Sequence, residues 1–208
     1  MTLKQTFNAE IGESPINLLA NWFFESMQVG SELIDFSKPI GSFTCFPNPP
    51  QKILFISAGT GIASIMSMLR WIYDAAAECD VTLLHSTRSP DHIPFRQDLE
   101  LMTMRLPKFR LVITTTQPQF TSSWLGLTGR ISADLLAAVV PDLCDRTAYV
   151  AGSSDFAKST EQILKSLNFP LQNYYEETFE SHSLISQWSD RGVPERTREA
   201  FPEGHRAF

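Results

Sequence analysis

The alternation of hydrophobic and polar positions changes character near Lys52. From that residue onward, short apolar runs rich in β-branched residues alternate with segments whose apolar residues recur at helical spacing. The pattern predicts five strands, at Lys52–Ala58, Asp80–Thr87, Phe109–Thr116, Thr147–Gly152 and Asn173–Phe179. It predicts helices at Ala63–Ala77, Pro94–Pro107, Ser132–Val140 and Ser154–Asn168. Strands joined by helices indicate an α/β fold, with a five-stranded parallel sheet that carries helices on both faces.

The two ends of the chain follow other patterns. Residues 1–50 contain only short strand-like runs, at Thr6–Ile11 and Glu32–Phe36, and are too short for an independent β domain. Residues 180–208 are polar and mixed in charge, which is typical of a solvated or disordered extension. The sequence therefore predicts one α/β domain over residues 51–179, with a short segment on either side.

The turn after the first predicted strand is the strongest local signal. Gly59-Thr60-Gly61 follows the strand, and a helix begins near Ile62. Free N–H groups at a helix start, together with the helix dipole, favour a phosphate, and glycines let it approach the backbone. Ser64 stands where the dinucleotide fingerprint has its third glycine. These residues alone leave two interpretations open, a dinucleotide site and an ordinary turn.

Composition and charge exclude several classes of partner. The formal net charge is −6, and the chain has no long basic run, which argues against nucleic acid or an anionic membrane as a partner. No apolar run reaches the length of a membrane span, and the polar start is not a secretory signal. Three separated cysteines and four scattered histidines show no metal-ligand spacing. We therefore expect a cytoplasmic protein with reduced thiols and no metal site.

Six short motifs carry a family resemblance. They are Gly30–Ile34 with Lys38–Phe43, Gly59–Arg70, His85–Phe95, Trp124–Ile131, Ala151–Phe156 and Glu177–Phe179. In this order they resemble the ferredoxin–NADP reductase-like flavoproteins, especially the NAD(P)H-dependent reductase components of oxygenases and hybrid-cluster proteins. The resemblance covers residues 6–179. It implies a Rossmann-like NAD(P)-binding domain at residues 51–179, an incomplete remnant of a flavin-binding β-barrel at residues 1–50, and a polar carboxyl-terminal extension at residues 180–208.

The resemblance also implies roles for individual positions. The residues expected to cradle the pyrophosphate are Gly59, Thr60, Gly61 and Ile62. Those expected to face the adenosine ribose or its 2′-phosphate are Ser86 and Arg88, and those expected near the nicotinamide are Gly152, Ser153 and Ser154. Glu177 and Phe179 are the catalytic candidates beside the flavin ring. Asn21 is the remaining candidate on the flavin side.

Several motif positions depart from the family. Ile16–Trp22 stands where a glycine-rich turn holds the flavin phosphate, and of that turn only Asn21 and Trp22 remain. Each lost charge-assisted hydrogen bond is worth about 1.5–3 kcal/mol. NAD(P)H is therefore the expected cofactor, whereas FAD, expected for the family, is predicted to bind weakly or not at all. Ala151 replaces the cysteine beside the hydride-transfer position, and Ser153 replaces the proline two residues later.

Two functions of different classes remain open. In the first, the chain is the NAD(P)H-binding part of a flavin-dependent oxidoreductase that passes electrons to an iron–sulfur or haem partner. That partner would be a ferredoxin-like protein or an oxygenase or hybrid-cluster component. In the second, it is a non-catalytic nucleotide-binding or interaction module. A Rossmann-type methyltransferase is disfavoured, because Ser86-Thr87-Arg88 lacks its acidic residue. The single Arg88 predicts use of both NADH and NADPH.

Overall fold

The computed structural model describes Gln28 and residues 41–117 and 124–179. The strands in these residues are β1 Lys52–Ala58, β2 Asp80–Thr87, β3 Phe109–Thr115, β4 Leu127–Thr128, β5 Thr147–Gly152 and β6 Tyr174–Thr178. The α-helices are α1 Ile62–Asp74, α2 Arg96–Arg105, α3 Ala133–Val139 and α4 Ser154–Ser166. Short 3-10 turns occur at Gly59–Gly61, Pro90–His92, Leu143–Asp145 and Leu171–Asn173.

The six strands form one parallel sheet in the order β4-β3-β2-β1-β5-β6. The chain proceeds from β1 towards β4 on one side and then returns to β5 on the other side of β1. The carboxyl ends of β1 and β5 therefore form the topological switch point of the sheet. In open α/β sheets, ligands bind in the crevice at this place.

Both faces of the sheet are covered by helices, which explains the continuous apolar strand sequences. On one face, Ile53 and Phe55 of β1 pack with buried residues of α1 and α2. On the other face, Leu54 and Ile56 pack with buried residues of α3 and α4. All four β1 side chains are fully buried, so β1 is the centre of the core.

The observed elements confirm the α/β prediction, with one correction to the strand count. The sequence predicted five strands, whereas the sheet has six, because β4 pairs with Thr114 and Thr115 of β3. This strand has only two residues, too few to show a periodic pattern. The predicted sheet with helices on both faces is otherwise present.

Three helix boundaries differ from the prediction for one physical reason. Ala76, Phe95 and Asn168 adopt φ values of 49°, 57° and 57°, which a right-handed helix does not accommodate. The first helix therefore ends before Ala76, and the second begins at Arg96 rather than Pro94. Helix α4 ends at Ser166, short of the predicted Asn168.

Some predictions fall outside the described residues. The flavin-side candidate Asn21 is among them, as is the extension at residues 180–208 and most of the predicted barrel remnant. The described strands belong to one compact unit, Lys38–Phe179. The proposed division of the chain into three segments stays a prediction.

Candidate functional site

The crevice at the switch point begins with an exposed turn. Gly59 leaves β1 with φ +54°, and no atom of the described residues lies within 4 Å of the position that a Cβ would occupy. Helix α1 follows with 13 residues, and no side chain in the described part of the chain caps its amino terminus. The first N–H groups of a helix have no partners within the helix, and the helix dipole is positive there. The turn therefore presents an open, uncapped helix terminus that suits an anionic ligand.

Gly61 lies in the predicted turn, but its lack of a side chain serves the fold. A Cβ on Gly61 would lie 2.2 Å from the Ala151 oxygen and 2.7 Å from the Gly152 nitrogen. The turn before α1 therefore rests directly on the backbone at the end of β5. The space that a Gly61 side chain would fill is therefore occupied by β5, and the expected role of Gly61 in pyrophosphate binding stays a prediction.

The predicted nicotinamide residues form the other wall of the crevice. Gly152 ends β5, and Ser153 caps helix α4 by accepting a hydrogen bond from the Phe156 N–H at 3.3 Å. The Ser153 hydroxyl thus stabilises the start of α4. Gly152 is brought beside Gly61, and Ser154 is the first residue of α4. The nicotinamide role of these residues stays a prediction.

The catalytic candidates lie at the carboxyl end of β6. Glu177 pairs in register with Ala151, and the Phe179 N–H donates to the Gly152 carbonyl at 2.9 Å. The Ser64 hydroxyl in the first turn of α1 donates a hydrogen bond to the Glu177 carboxylate. Sequence reasoning treated Ser64 only as a replaced glycine and missed this contact. The available signal was a hydroxyl residue in the first turn of a helix.

The predicted adenosine residues lie across the crevice, at the end of β2. Ser86 is buried, with 9% of its surface exposed, so its side chain is poorly placed to meet a ribose. Arg88 is exposed, and the Gln117 N–H donates to its carbonyl at 2.8 Å. Strand β4 brings Arg130 to the same edge, because the adjacent Gly129 N–H donates to the Thr115 carbonyl at 2.9 Å. Arg88 and Arg130 are therefore both exposed on the part of the crevice formed by β2, β3 and β4.

A buried histidine lies next to Ser86 on β2. His85 is fully buried on β2, and its Nδ1 is 2.9 Å from the Ser57 hydroxyl on β1. Burial lowers the pKa of His85 to about 4, so the imidazole is neutral at physiological pH. Its Nε2 has no hydrogen-bond partner among the described residues. Sequence reasoning counted His85 only among the four scattered histidines without metal-ligand spacing.

The described part of the chain holds no group of three or more His, Cys, Asp or Glu residues that suits a metal ion. In the same residues no helix has the length and apolar character needed to cross a membrane. Cys45, Cys79 and Cys144 are all unpaired, and the first two are buried.

Comparison with known proteins places this geometry in context. The family described as "Oxidoreductase NAD-binding domain" matches residues 55–162. The glycine betaine monooxygenase reductase subunit of Chromohalobacter salexigens is 34% identical over 84% of this chain and 47% of its own length. The chain thus spans about half the length of the curated relatives that it matches.

Two solved structures share the fold at low sequence identity. The flavohem-like FAD/NAD-binding domain of nitric oxide dioxygenase from Vibrio cholerae has a TM-score of 0.62 at 17% identity, covering 78% of this chain and 64% of that chain. A ferredoxin reductase of a carbazole 1,9a-dioxygenase has a TM-score of 0.61 at 21% identity, covering 81% and 50%. At these identities the likeness shows the fold alone.

Proposed function

Because this chain belongs to the oxidoreductase NAD-binding domain family, we propose that it binds NAD(P)H as the hydride-donor module of a flavin-dependent reductase. The observation that carries the proposal is the open turn at Gly59 before the uncapped terminus of α1. This terminus lies at the switch point of a parallel sheet, where such folds bind nucleotides. NAD(P)H bound there would supply a hydride to an acceptor.

The residues at the crevice fit a dinucleotide in a definite orientation. The N–H groups at the start of α1 and the open backbone at Gly59 would hold the pyrophosphate. Arg88, exposed at the end of β2, would hold the adenosine end. The nicotinamide end would then lie towards Gly152 and Glu177, on the opposite side of β1 in the sheet.

The electron acceptor is proposed from the chemistry of the relatives. The relative from Chromohalobacter is named as a monooxygenase reductase subunit. We place this chain in a similar role, passing electrons through a flavin to the iron–sulfur or haem centre of an oxygenase or ferredoxin-like partner. The three unpaired cysteines support a reducing compartment such as the cytoplasm. Weak or absent FAD binding by the isolated chain stays a prediction, because Asn21 lies outside the described residues.

A non-catalytic nucleotide-binding module is the second candidate. Ala151, which replaces the family's cysteine, is fully buried against the turn at Gly61. It offers no side-chain group for the reaction, although it leaves the dinucleotide crevice intact. This observation favours binding without turnover.

One set of measurements on the purified full chain separates the candidates. Calorimetric titration with NADH is expected to show binding that Arg88→Ala weakens. Arg105→Ala is the control, because Arg105 is the last residue of α2 and its guanidinium donates to the Tyr73 hydroxyl near the end of α1. Loss of flavin absorbance when NADH is added, with bound flavin or with added FAD, shows hydride transfer and supports the reductase. Binding of NADH without reduction of added FAD supports the non-catalytic module. Absence of binding to NADH and NADPH contradicts both candidates.

A further inference from the structure

One hydrogen bond joins the two walls of the crevice. Ser64 lies half-buried in the first turn of α1, and Glu177 lies half-buried on β6. Beneath this bond, the turn at Gly61 rests on Ala151, which pairs in register with Glu177. Three separate elements, α1, β5 and β6, thus converge at the hydroxyl–carboxylate contact.

The surroundings of the contact hold the Glu177 carboxylate in one position. The Ser64 hydroxyl donates to the carboxylate from the first turn of α1, whose amino terminus has no side-chain cap and no acidic residue in that turn. A helix amino terminus favours a carboxylate, and hydrogen bonds to a charged acceptor are about twice as strong as neutral ones. The contact therefore restrains a glutamate side chain that would otherwise occupy many rotamers.

We propose that Ser64 is a positioning residue that holds the Glu177 carboxylate at the nicotinamide side of the crevice. There the carboxylate favours the oxidised dinucleotide over the reduced one. The proposal rests on the proposed function, since it assumes that a dinucleotide binds at the switch point. Oxidised nicotinamide carries one positive charge that reduced nicotinamide lacks, so a fixed nearby carboxylate discriminates between the two.

The proposal depends on the hydroxyl group of Ser64, which donates the hydrogen bond to Glu177. Removal of the hydroxyl by Ser64→Ala would release the carboxylate towards solvent, where water screens its charge. Threonine would retain a donor at the same position.

Matched variants of the full chain test the proposal through binding alone. Calorimetric titrations with NAD⁺ and NADH give the ratio of the two dissociation constants for each variant. Glu177→Gln is expected to reduce the preference for NAD⁺ on the order of tenfold, since it removes a full charge near the site. Ser64→Ala is expected to reduce the preference by about threefold. Ser64→Thr should retain the wild-type ratio.

The double variant and a neighbouring glutamate supply the controls. Because Ser64 is inferred to act through Glu177, the double variant should match Glu177→Gln alone rather than add the two effects. Glu176→Gln removes the adjacent negative charge and should leave the ratio unchanged. In the wild type, the Glu176 carboxylate accepts a hydrogen bond from the Tyr174 hydroxyl at 2.7 Å.

Distinct outcomes overturn the inference and the proposed function. Additive effects in the double variant, or a Ser64→Ala protein that loses stability but keeps its ratio, would show that Ser64 has a structural role only. An unchanged ratio in Glu177→Gln, with both dinucleotides still binding, overturns the inference alone. A wild-type chain that binds neither NAD(H) nor NADP(H) overturns the proposed function and this inference with it.

Discussion

The two ends of the parallel strands, here called the amino edge and the carboxyl edge of the sheet, use their charged groups in opposite ways. At the amino edge, Arg146 is 5% exposed, and its guanidinium lies 2.8 Å from oxygens of both Asp80 and Asp142. It also donates to the Ile53 carbonyl at 3.1 Å. At the carboxyl edge, Arg88 is exposed and forms no ion pair with any carboxylate in the described part of the chain.

This difference separates groups that stabilise the fold from groups left for a ligand. A buried guanidinium must be paired and hydrogen-bonded, so the amino edge satisfies its charges internally. The carboxyl edge instead presents an exposed arginine and the uncapped start of α1. Motif reasoning found the carboxyl edge and overlooked the amino edge, although the amino edge holds the more deeply buried charge.

The largest expected effect is at the amino edge. Arg146→Ala should lower the free energy of unfolding by about 3 kcal/mol, because it removes the buried guanidinium that pairs with Asp80 and donates to the Ile53 carbonyl, while Asp142 retains Lys52 as a partner. Arg88→Ala is the matched control and should change stability by no more than about 0.5 kcal/mol. Urea denaturation of both variants measures the two changes in the free energy of unfolding. Equal changes would contradict the difference between the two edges.

As pH falls, protonation of His85 near the carboxyl edge should lower the stability of the fold before protonation of Asp142 at the amino edge does. The pKa of His85 is about 4 in the folded protein and 6.5 as its ordinary value, so the unfolded chain takes up this proton first as pH falls. Its contribution is fully present above pH 6.5 and is lost towards pH 4, by about 3 kcal/mol in total. Hydrogen bonds from Arg146 lower the pKa of Asp142 to about 2, so that carboxylate stays charged over this range.

Denaturant midpoints at pH 7.5 and pH 5, compared between wild type and His85→Gln, measure the first of these effects. The wild type should lose more stability than the variant over this interval. If the variant retains the full acid sensitivity, the loss originates in another group and the assignment to His85 is wrong.

Two glycines of one turn should respond differently to an added methyl group. Gly61→Ala should cost about 2 kcal/mol of stability, because its Cβ would meet the β5 backbone at 2.2 Å. Gly59→Ala should cost about 1 kcal/mol, through its positive φ alone. Its methyl group would point into open space and should weaken dinucleotide binding. Thermal unfolding and NADH titration of both variants separate these effects, and a reversed order of stability would contradict the packing at Gly61.

The smallest expected effect concerns the choice of dinucleotide. One arginine facing a 2′-phosphate gives only a modest preference, so NADH and NADPH should differ by less than about tenfold, or about 1.4 kcal/mol. Arg88→Ala should bring the two affinities closer together. Parallel titrations with both dinucleotides measure this difference. A hundredfold preference would show that other groups determine the specificity.

Local sequence predicted the parts of the fold that depend on neighbouring residues. Strands β1, β2 and β5 begin and end at the predicted residues, because each is a short run with an apolar centre and clear boundaries. The turn at Gly59 was also placed correctly. β4 was missed because two residues carry no periodicity, and it forms only where β3 offers a free edge.

The contacts that define the site were less accessible to sequence reasoning. Gly61 rests on Ala151, and Ser64 bonds to Glu177 across 113 positions of the chain. Arg146 likewise meets carboxylates and carbonyls from the ends of separate strands. Such pairings depend on strand order, which becomes known only when the sheet is assembled. Motif spacing therefore located the residues but not the partners that fix their side chains.

The contact between Gly61 and Ala151 also sets an order of events during synthesis. The turn leaves the ribosome before the strand on which it rests, which follows some ninety residues later. Until β5 has paired with β1, the crevice has only one wall. A ligand held between the two walls would then bind only chains whose sheet is complete, and it would stabilise those chains against unfolding. In a growing chain, occupancy of this crevice would therefore report that β5 has joined the sheet.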